Sequence, residues 1–371
     1  MNESPRPPLV ARQLVILMSA PSLDSGRNVS GVSSVAAEIT RVLGAIFAFK
    51  HLQVGSEQGG GFPRRQLRSM GRFLRSIFIV LLGNYDIYHS NTDLSWQSAL
   101  RDSVVTTACL LRGRDLVIHL HGGYYMHNCA PPLVHAVIRR LLRGADKVVV
   151  LSTAEREIVV TRYGVNRNSV EIVVNAIHMP LTLRKRRVQR EEPLVVAFVG
   201  RLVETKGLLL LLDAVGKLGM RDKFQFRFYG DGPLRPEVVN AASEFPNVSY
   251  LGIFSRSAVE AIMSEADILI LPSLFEGLPM SVVEAMAYGA VPVCTPTGSL
   301  PGVIVDGESG YFIETGSVDA IVRRLSFLEL RRDELVRVSH NAHAVAAANF
   351  DSNKALLALA RVYEGLSLQK V

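Results

Sequence analysis

The sequence is short of cysteine and of long apolar runs, and each lack closes off a class of protein. Its three cysteines, Cys109, Cys129 and Cys294, are odd in number and show no paired spacing, so they form neither a disulfide framework nor a metal-binding repeat. A reducing, cytoplasmic setting is expected. The longest apolar stretches, 77–82 and 208–212, fall well short of the roughly 20 residues of a membrane-crossing helix. Residues 1–12 hold two arginines and three prolines, and the apolar run that follows at 14–18 is too short for a secretory leader. No Asp-x-Asp pair is present to hold a divalent ion on a diphosphate. No Gly-x-Gly-x-x-Gly opens a helix, which argues against a nicotinamide dehydrogenase. No basic stripe is interleaved with aromatics, so nucleic acid is not an expected partner. His119, His121, His127 and Cys129 lie close together, but their spacing matches no common metal set, and neither a metal nor another cofactor is expected.

What is present is a globular composition, 48% hydrophobic and 20% charged over 371 residues, enough for two domains with separate cores. Lysine and arginine outnumber aspartate and glutamate by 41 to 34, a net charge of +7 that suits an anionic partner. Short apolar strands are expected at 14–19, 85–89, 115–120, 147–151 and 170–174, with helices at 32–47, 66–82, 94–111, 132–142 and 154–163. A second series follows, with strands at 194–199, 224–229, 248–251, 268–271 and 291–294. Such alternation implies right-handed crossovers and parallel sheets. The expected fold is therefore α/β, two doubly wound Rossmann-like domains. The first spans 1–178, a basic linker 179–193, the second 194–350, and a C-terminal helix 351–371. Ligands of such sheets bind beyond the carboxyl ends of the strands, so two rims of loops are expected to face one another across a cleft.

The segment 269–289 organises this reading. It runs Leu-Ile-Leu-Pro-Ser-Leu-Phe-Glu-Gly-Leu-Pro-Met-Ser-Val-Val-Glu-Ala-Met-Ala-Tyr-Gly and reads as buried strand, tight loop and helix. Pro279 is expected as the first helical residue and Gly289 as the stop. The amides of Leu278, Met280 and Ser281 then point out of the helix start with the positive end of its dipole, an anion site. Glu276 and Glu284 flank it, roughly 8 to 12 Å apart at the helical rise. Arg201 and Lys206, in the loop after the strand at 194–199, add two cations suited to phosphate.

Gly200-Arg201 with Lys206-Gly207, Gly230-Asp231-Gly232-Pro233, Ala266-Asp267 before a strand, and Glu276 with Glu284 resemble the retaining glycosyltransferases of family 4, which have the GT-B fold. The resemblance extends to His121-Gly122, to 145–152 and to Val173-Val174-Asn175, and so covers nearly the whole chain. It implies a retaining hexosyltransferase that moves a sugar from a nucleotide donor to a saccharide or lipid-linked saccharide acceptor in cell-surface polysaccharide or glycolipid synthesis. Arg201 and Lys206 would hold the diphosphate, Glu284 the ribose hydroxyls, and Glu276 the transferred sugar, with His121 lining the same pocket. The donor would also meet Gly31, Gly200, Gly230, Gly232, Gly277, Leu278, Met280 and Ser281, with Ile253 and Phe254 against the base. The last helix would cross back to the first domain. Departures fall on donor-sugar contacts: Ser30 before Gly31, Ser299 after Gly298, Gly302 at a usual glutamate, and Ala176 after Asn175.

Helix 66–82 follows Arg64 and Arg65 and carries Arg68, Arg72 and Arg75 on one side, with Leu67, Met70, Leu74, Ile77 and Phe78 on another. Two readings stand: attachment to the anionic inner face of the cell membrane, or a core-facing stripe with solvated arginines. For the whole chain, the alternatives to a transferase are a catalytically silent nucleotide-sugar-binding regulatory module and a same-fold nucleotide-sugar epimerase.

Overall fold

The computed structural model describes residues 13–23, 31–54, 62–180, 183, 192–219 and 222–368, with backbone alone for 31, 62–68, 127 and 256. Most of the basic linker and the loop before Gly31 lie outside the described residues. The chain divides into two compact units, Met1–Pro21, Ile39–Val173 and Leu356–Val371 in one, Ser22–Glu38 and Val174–Ala355 in the other.

Elements alternate along the first part of the chain as β1 (Val15–Ala20), α1 (Gly31–Leu43), β2 (Ala48–Gln53), α2 (Phe62–Leu82), β3 (Ile87–Thr92), α3 (Trp96–Leu111), β4 (Asp115–Leu120), α4 (Tyr124–His127), α5 (Pro132–Arg143), β5 (Lys147–Val150), α6 (Thr153–Tyr163) and β6 (Val170–Ile172). Six parallel strands line up in the order β2-β1-β3-β4-β5-β6. The expected helix at 32–47 stops instead at Leu43, and β2 begins five residues on. It was hidden because it is an edge strand whose Lys50 and His51 face solvent, which breaks the apolar run of a central strand. β3 is buried along its whole length although its second half reads His89, Ser90, Asn91 and Thr92. Polar groups buried at the carboxyl end of a central strand need partners.

α2 has two apolar faces. Val80 is buried, and Phe73 and Ile77 pack against the core, whereas Met70, Leu74, Phe78 and Leu82 are each more than half exposed. α3, packed beside it, exposes Trp96, Leu100 and Val104 at the same four-residue spacing.

The second part runs β7 (Leu194–Val199), α7 (Leu208–Leu218), β8 (Phe224–Tyr229), α8 (Arg235–Glu244), β9 (Val248–Gly252), α9 (Val259–Glu265), β10 (Ile268–Leu271), α10 (Met280–Tyr288), β11 (Val291–Cys294), β12 (Tyr311–Phe312), α11 (Val318–Leu330), α12 (Arg332–Asn349) and α13 (Ser352–Leu368). Its six strands are again all parallel, ordered β12-β11-β10-β7-β8-β9. Successive strands step outward from β7 to β9, and the chain then returns to β10 on the other side of β7. The connections after β7 and β10 therefore run in opposite directions along the sheet from a topological switch point, where doubly wound sheets hold ligands. β12, only two residues long, was too short to read from the sequence.

α13 starts against the second unit, where Ile177 N donates to Phe350 O and Ser352 N to Ile177 O, both at 2.9 Å. From Leu356 onward it belongs to the first unit. There Tyr363 is fully buried against Phe47 and His89.

Candidate active site

At the switch point of the second sheet the loops after β7 and β10 are joined backbone to backbone. Leu274 N donates to Thr205 O at 2.8 Å. Gly207, with φ of 67°, lies so close that a Cβ there would fall 2.0 Å from Pro272 O, so only glycine fits. This contact brings together two residues 70 positions apart, Lys206 and Glu276, whose Nζ and Oε1 form an ion pair. Both side chains are largely buried, 21% and 11% exposed. Ser273 Oγ donates to the same Oε1 at 2.7 Å, and Thr295 Oγ1, at the end of β11, donates to Ser273 O at 2.5 Å. Glu276 is thus held from two sides. The sequence assigned Lys206 to the diphosphate and Glu276 to the transferred sugar, and their pairing was not legible because it depends on how two loops meet.

α10 starts at Met280. Pro279 is its N-cap, with φ −71° and ψ 117°, and not its first helical residue as expected. Proline serves either position because neither needs its amide. Val282 N donates to Pro279 O at 3.1 Å, and the amides of Met280 and Ser281 precede this first bond, as donors of a helix start do. Gly289 ends the helix with φ of 91°, as expected. Glu284 sits one turn inside the helix and is 9% exposed.

Glycines let the remaining loops close on one another. A Cβ on Gly230 would lie 1.9 Å from Gly200 O, and one on Gly232 2.3 Å from Leu202 O. Gly230 N donates to Gly252 O at 2.8 Å, so the loops after β7, β8 and β9 are in register. Beyond them Ile253 is exposed and Phe254 packs edge-on against Tyr229. Leu274 and Phe275, just before Glu276, are exposed apolar residues that the sequence reading passed over. Gly298, with φ of 58°, would place a Cβ 2.0 Å from Gly277 O, and Ser299 N donates to that oxygen at 2.8 Å. A backbone amide makes this bond, so the departure at Ser299 leaves the loop's support intact. Arg201 is exposed and has no ion pair among the described residues. Cys294, buried near Glu276, has its thiol pushed up to about 12 by burial and by the Asp306 and Glu276 carboxylates. It remains a thiol at neutral pH and is no nucleophile.

In the first unit His121 follows β4. Its amide donates to Thr92 O at 2.9 Å, and Gly123 lets the loop approach Leu94, whose amide a Cβ would meet at 2.3 Å. The His121 ring lies 4.3 Å from that of His119, which in turn lies 5.4 Å from His89. His89 Nδ1 shares a 2.6 Å hydrogen bond with the Tyr363 hydroxyl. Burial, and then the charge of His121, push His89 down to about 3 and His119 well below the usual imidazole range. Both are neutral at pH 7. Of the first rim, Gly31 is the opening residue of α1.

This chemistry suits transfer of a charged leaving group. A helix start beside cations favours negative charge, and a fixed carboxylate favours positive charge close by.

Known proteins bear on this site. The model for glycosyl transferases group 1 matches residues 181–345, and that for glycosyltransferase family 4 matches 34–179. Amylovoran biosynthesis glycosyltransferase AmsK of Erwinia amylovora is 26% identical over 232 residues, 60% of this chain and 54% of that protein. Alpha-D-kanosaminyltransferase of Streptomyces kanamyceticus is 29% identical over 194 residues, 50% of this chain and 49% of that protein. The chain spans about half, or less, of the length of the curated relatives it matches. Among solved structures, Anabaena Alr3699/HepE in complex with UDP-glucose superposes with a TM-score of 0.73 at 16% identity, over 95% of this chain and 100% of that one. Sucrose-phosphate synthase from Thermosynechococcus elongatus gives 0.75 at 16% identity, over 96% and 100%. The structural likenesses establish the fold, and the two family models together cover most of the sequence: the chain belongs to the group 1, family 4 glycosyltransferases and has their GT-B architecture.

Proposed function

We propose that this chain is a retaining, metal-independent hexosyltransferase that moves a sugar from a nucleoside-diphosphate donor to a saccharide or lipid-linked saccharide in cell-surface polysaccharide or glycolipid synthesis. The observation that carries this reading is the cluster at the switch point, where Lys206, the clamped Glu276 and the start of α10 share one pair of joined loops. In this reading Arg201, Lys206 and the α10 amides take the diphosphate, Glu284 the ribose, Ile253 and Phe254 the base, and Glu276 and His121 the sugar. The cations do the work that a divalent ion does elsewhere. A leaving-phosphate oxygen takes the acceptor proton on the face it departs from, which retains the anomeric configuration. AmsK, named for amylovoran biosynthesis, and HepE, solved with UDP-glucose, support the polysaccharide and nucleotide-sugar parts.

Transfer is tested by incubating the full chain with panels of nucleotide sugars and acceptors and detecting product by mass spectrometry. Arg201→Ala is expected to lower kcat by roughly 10² to 10³, the loss typical of one transition-state donor. An epimerised donor without acceptor, or no turnover with any pair, overturns the reading.

Attachment to an anionic membrane surface belongs to the same reading. Among the described residues no helix is long and apolar enough to cross a membrane. The outward apolar stripe of α2, continued on α3, lies on a helix with arginines at 64, 65, 68, 72 and 75 and no acid. Anionic lipid complements a helix that holds five arginines and no acid in its sequence.

A further inference from the structure

The buried polar end of β3 meets the site residue His121 through one side chain that the sequence reading did not single out. Asn91 is 2% exposed. Its amide can be oriented in only one way. Asn91 Nδ2 lies 2.9 Å from Ser19 O, a main-chain carbonyl that can only accept, so the nitrogen must face Ser19 and Oδ1 must face the other way. Oδ1 lies 2.8 Å from His121 Nε2. A carboxamide oxygen cannot donate, so His121 Nε2 must carry the proton of this bond.

We propose that Asn91 is a positioning residue that holds the His121 imidazole in one tautomer, with the proton on Nε2 and the lone pair on Nδ1. The ring has two freedoms, rotation of its plane and exchange of its proton, and the structure restrains both. The plane is set by the His119 ring, 4.3 Å away and tilted by 33°. The proton is set by Asn91, itself tied through Ser19 to β1, which pairs with β3 in the sheet. An imidazole so fixed presents one defined ring edge in place of a mixture of two tautomers. This purpose rests on the transferase reading of His121, but the tautomer does not.

The test uses the full chain, without donor or acceptor, labelled with ¹⁵N at histidine. Two-bond ¹H–¹⁵N correlation at neutral pH reads the tautomer, and loss of a signal in His121→Gln assigns it. The parent is expected to show the Nε2–H pattern alone. Asn91→Asp, which keeps an acceptor at the same place, should keep the proton on Nε2. Asn91→Leu removes the acceptor and should shift the tautomer ratio by roughly tenfold, the weight of one hydrogen bond. The neutral signals of His89 and His119 report whether the strands are intact. If Leu disturbs them, Asn91→Ala gives the same reading with less bulk. A parent with the proton on Nδ1, or an unchanged tautomer in both Asn91→Leu and Asn91→Ala, overturns the proposal. Either result leaves the transfer assay to be judged separately, and failed transfer leaves this measurement standing.

Discussion

Lowering the pH from 7 to 5 is expected to weaken the first unit through His89. The ring is fully buried, hydrogen-bonded to Tyr363, and has its pKa depressed from 6.5 to about 3, burial being the largest cause. An unfolded histidine has a pKa near 6.5. The contribution of His89 to stability is therefore complete above about 6.5 and lost as the pH falls toward 3, because the unfolded chain takes up a proton that the folded chain refuses. Between pH 7 and 5 the loss is about 2 kcal/mol, at about 1.4 kcal/mol per unit over the 1.5 units below the unfolded pKa. His119 shifts in the same direction and adds to it. The assay is urea unfolding at the two pH values, followed by the fluorescence of Trp96, the single tryptophan, which lies on α3 of the first unit. His89→Gln keeps a hydrogen-bonding group beside the Tyr363 hydroxyl and cannot titrate. Its stability is expected to fall about 2 kcal/mol less over the same interval than that of the parent. Equal losses in the two proteins would refute the reasoning, whatever the offset between them at pH 7.

Three further outcomes follow from particular contacts. Ser273→Ala removes one of the two groups holding Glu276; a hydrogen bond to a charged group is worth about 1.5–3 kcal/mol, so kcat in the transfer assay is expected to fall by ten-fold or more, and an unchanged rate would mean that Lys206 suffices. Gly298→Ala places a methyl group 2.0 Å from Gly277 O at a φ of 58°, which is expected to lower Tm by several degrees, given about 1–3 kcal/mol of strain and ~2–4 °C per kcal/mol. Gly277→Ala meets nothing within 4 Å and should leave Tm unchanged. Leu74→Asn with Phe78→Asn changes only exposed side chains and should abolish flotation with anionic liposomes, while Arg75→Glu should weaken it about fivefold or more at ~1 kcal/mol per basic residue; equal flotation of all three proteins would remove the membrane reading.

The strands of the second sheet were legible almost to the residue. The expected 194–199, 224–229, 268–271 and 291–294 coincide with β7, β8, β10 and β11. Central parallel strands are covered on both faces, so they read as unbroken apolar runs. β2 was lost because Lys50 and His51 interrupt its apolar run, and β12 because it is two residues long, whereas the edge strands β6 and β9 kept enough apolar residues to be read. α2 was legible as amphipathic, but one wheel of apolar residues proved to be two faces. Sequence spacing cannot tell a buried Val80 from an exposed Phe78. In the site, residue types were readable and partnerships were not. Lys206 with Glu276, Ser273 with Thr295, and Asn91 with His121 are joined by loop and strand placements that span from 22 to 70 positions. The glycines at 207, 230 and 298 had a visible residue type but no visible reason until the carbonyl each one faces was in place.

The return of α13 to the first unit sets an order on biosynthesis. A ribosome delivers all six strands of the first sheet by Ile172, yet Tyr363, which fills the space beside Phe47 and His89, emerges 191 positions later. At roughly 5–20 residues per second that interval is about 10–40 s. Throughout it the nascent sheet keeps an aromatic gap open to solvent. The part made first is completed last, and a nascent-chain chaperone would find its binding surface there.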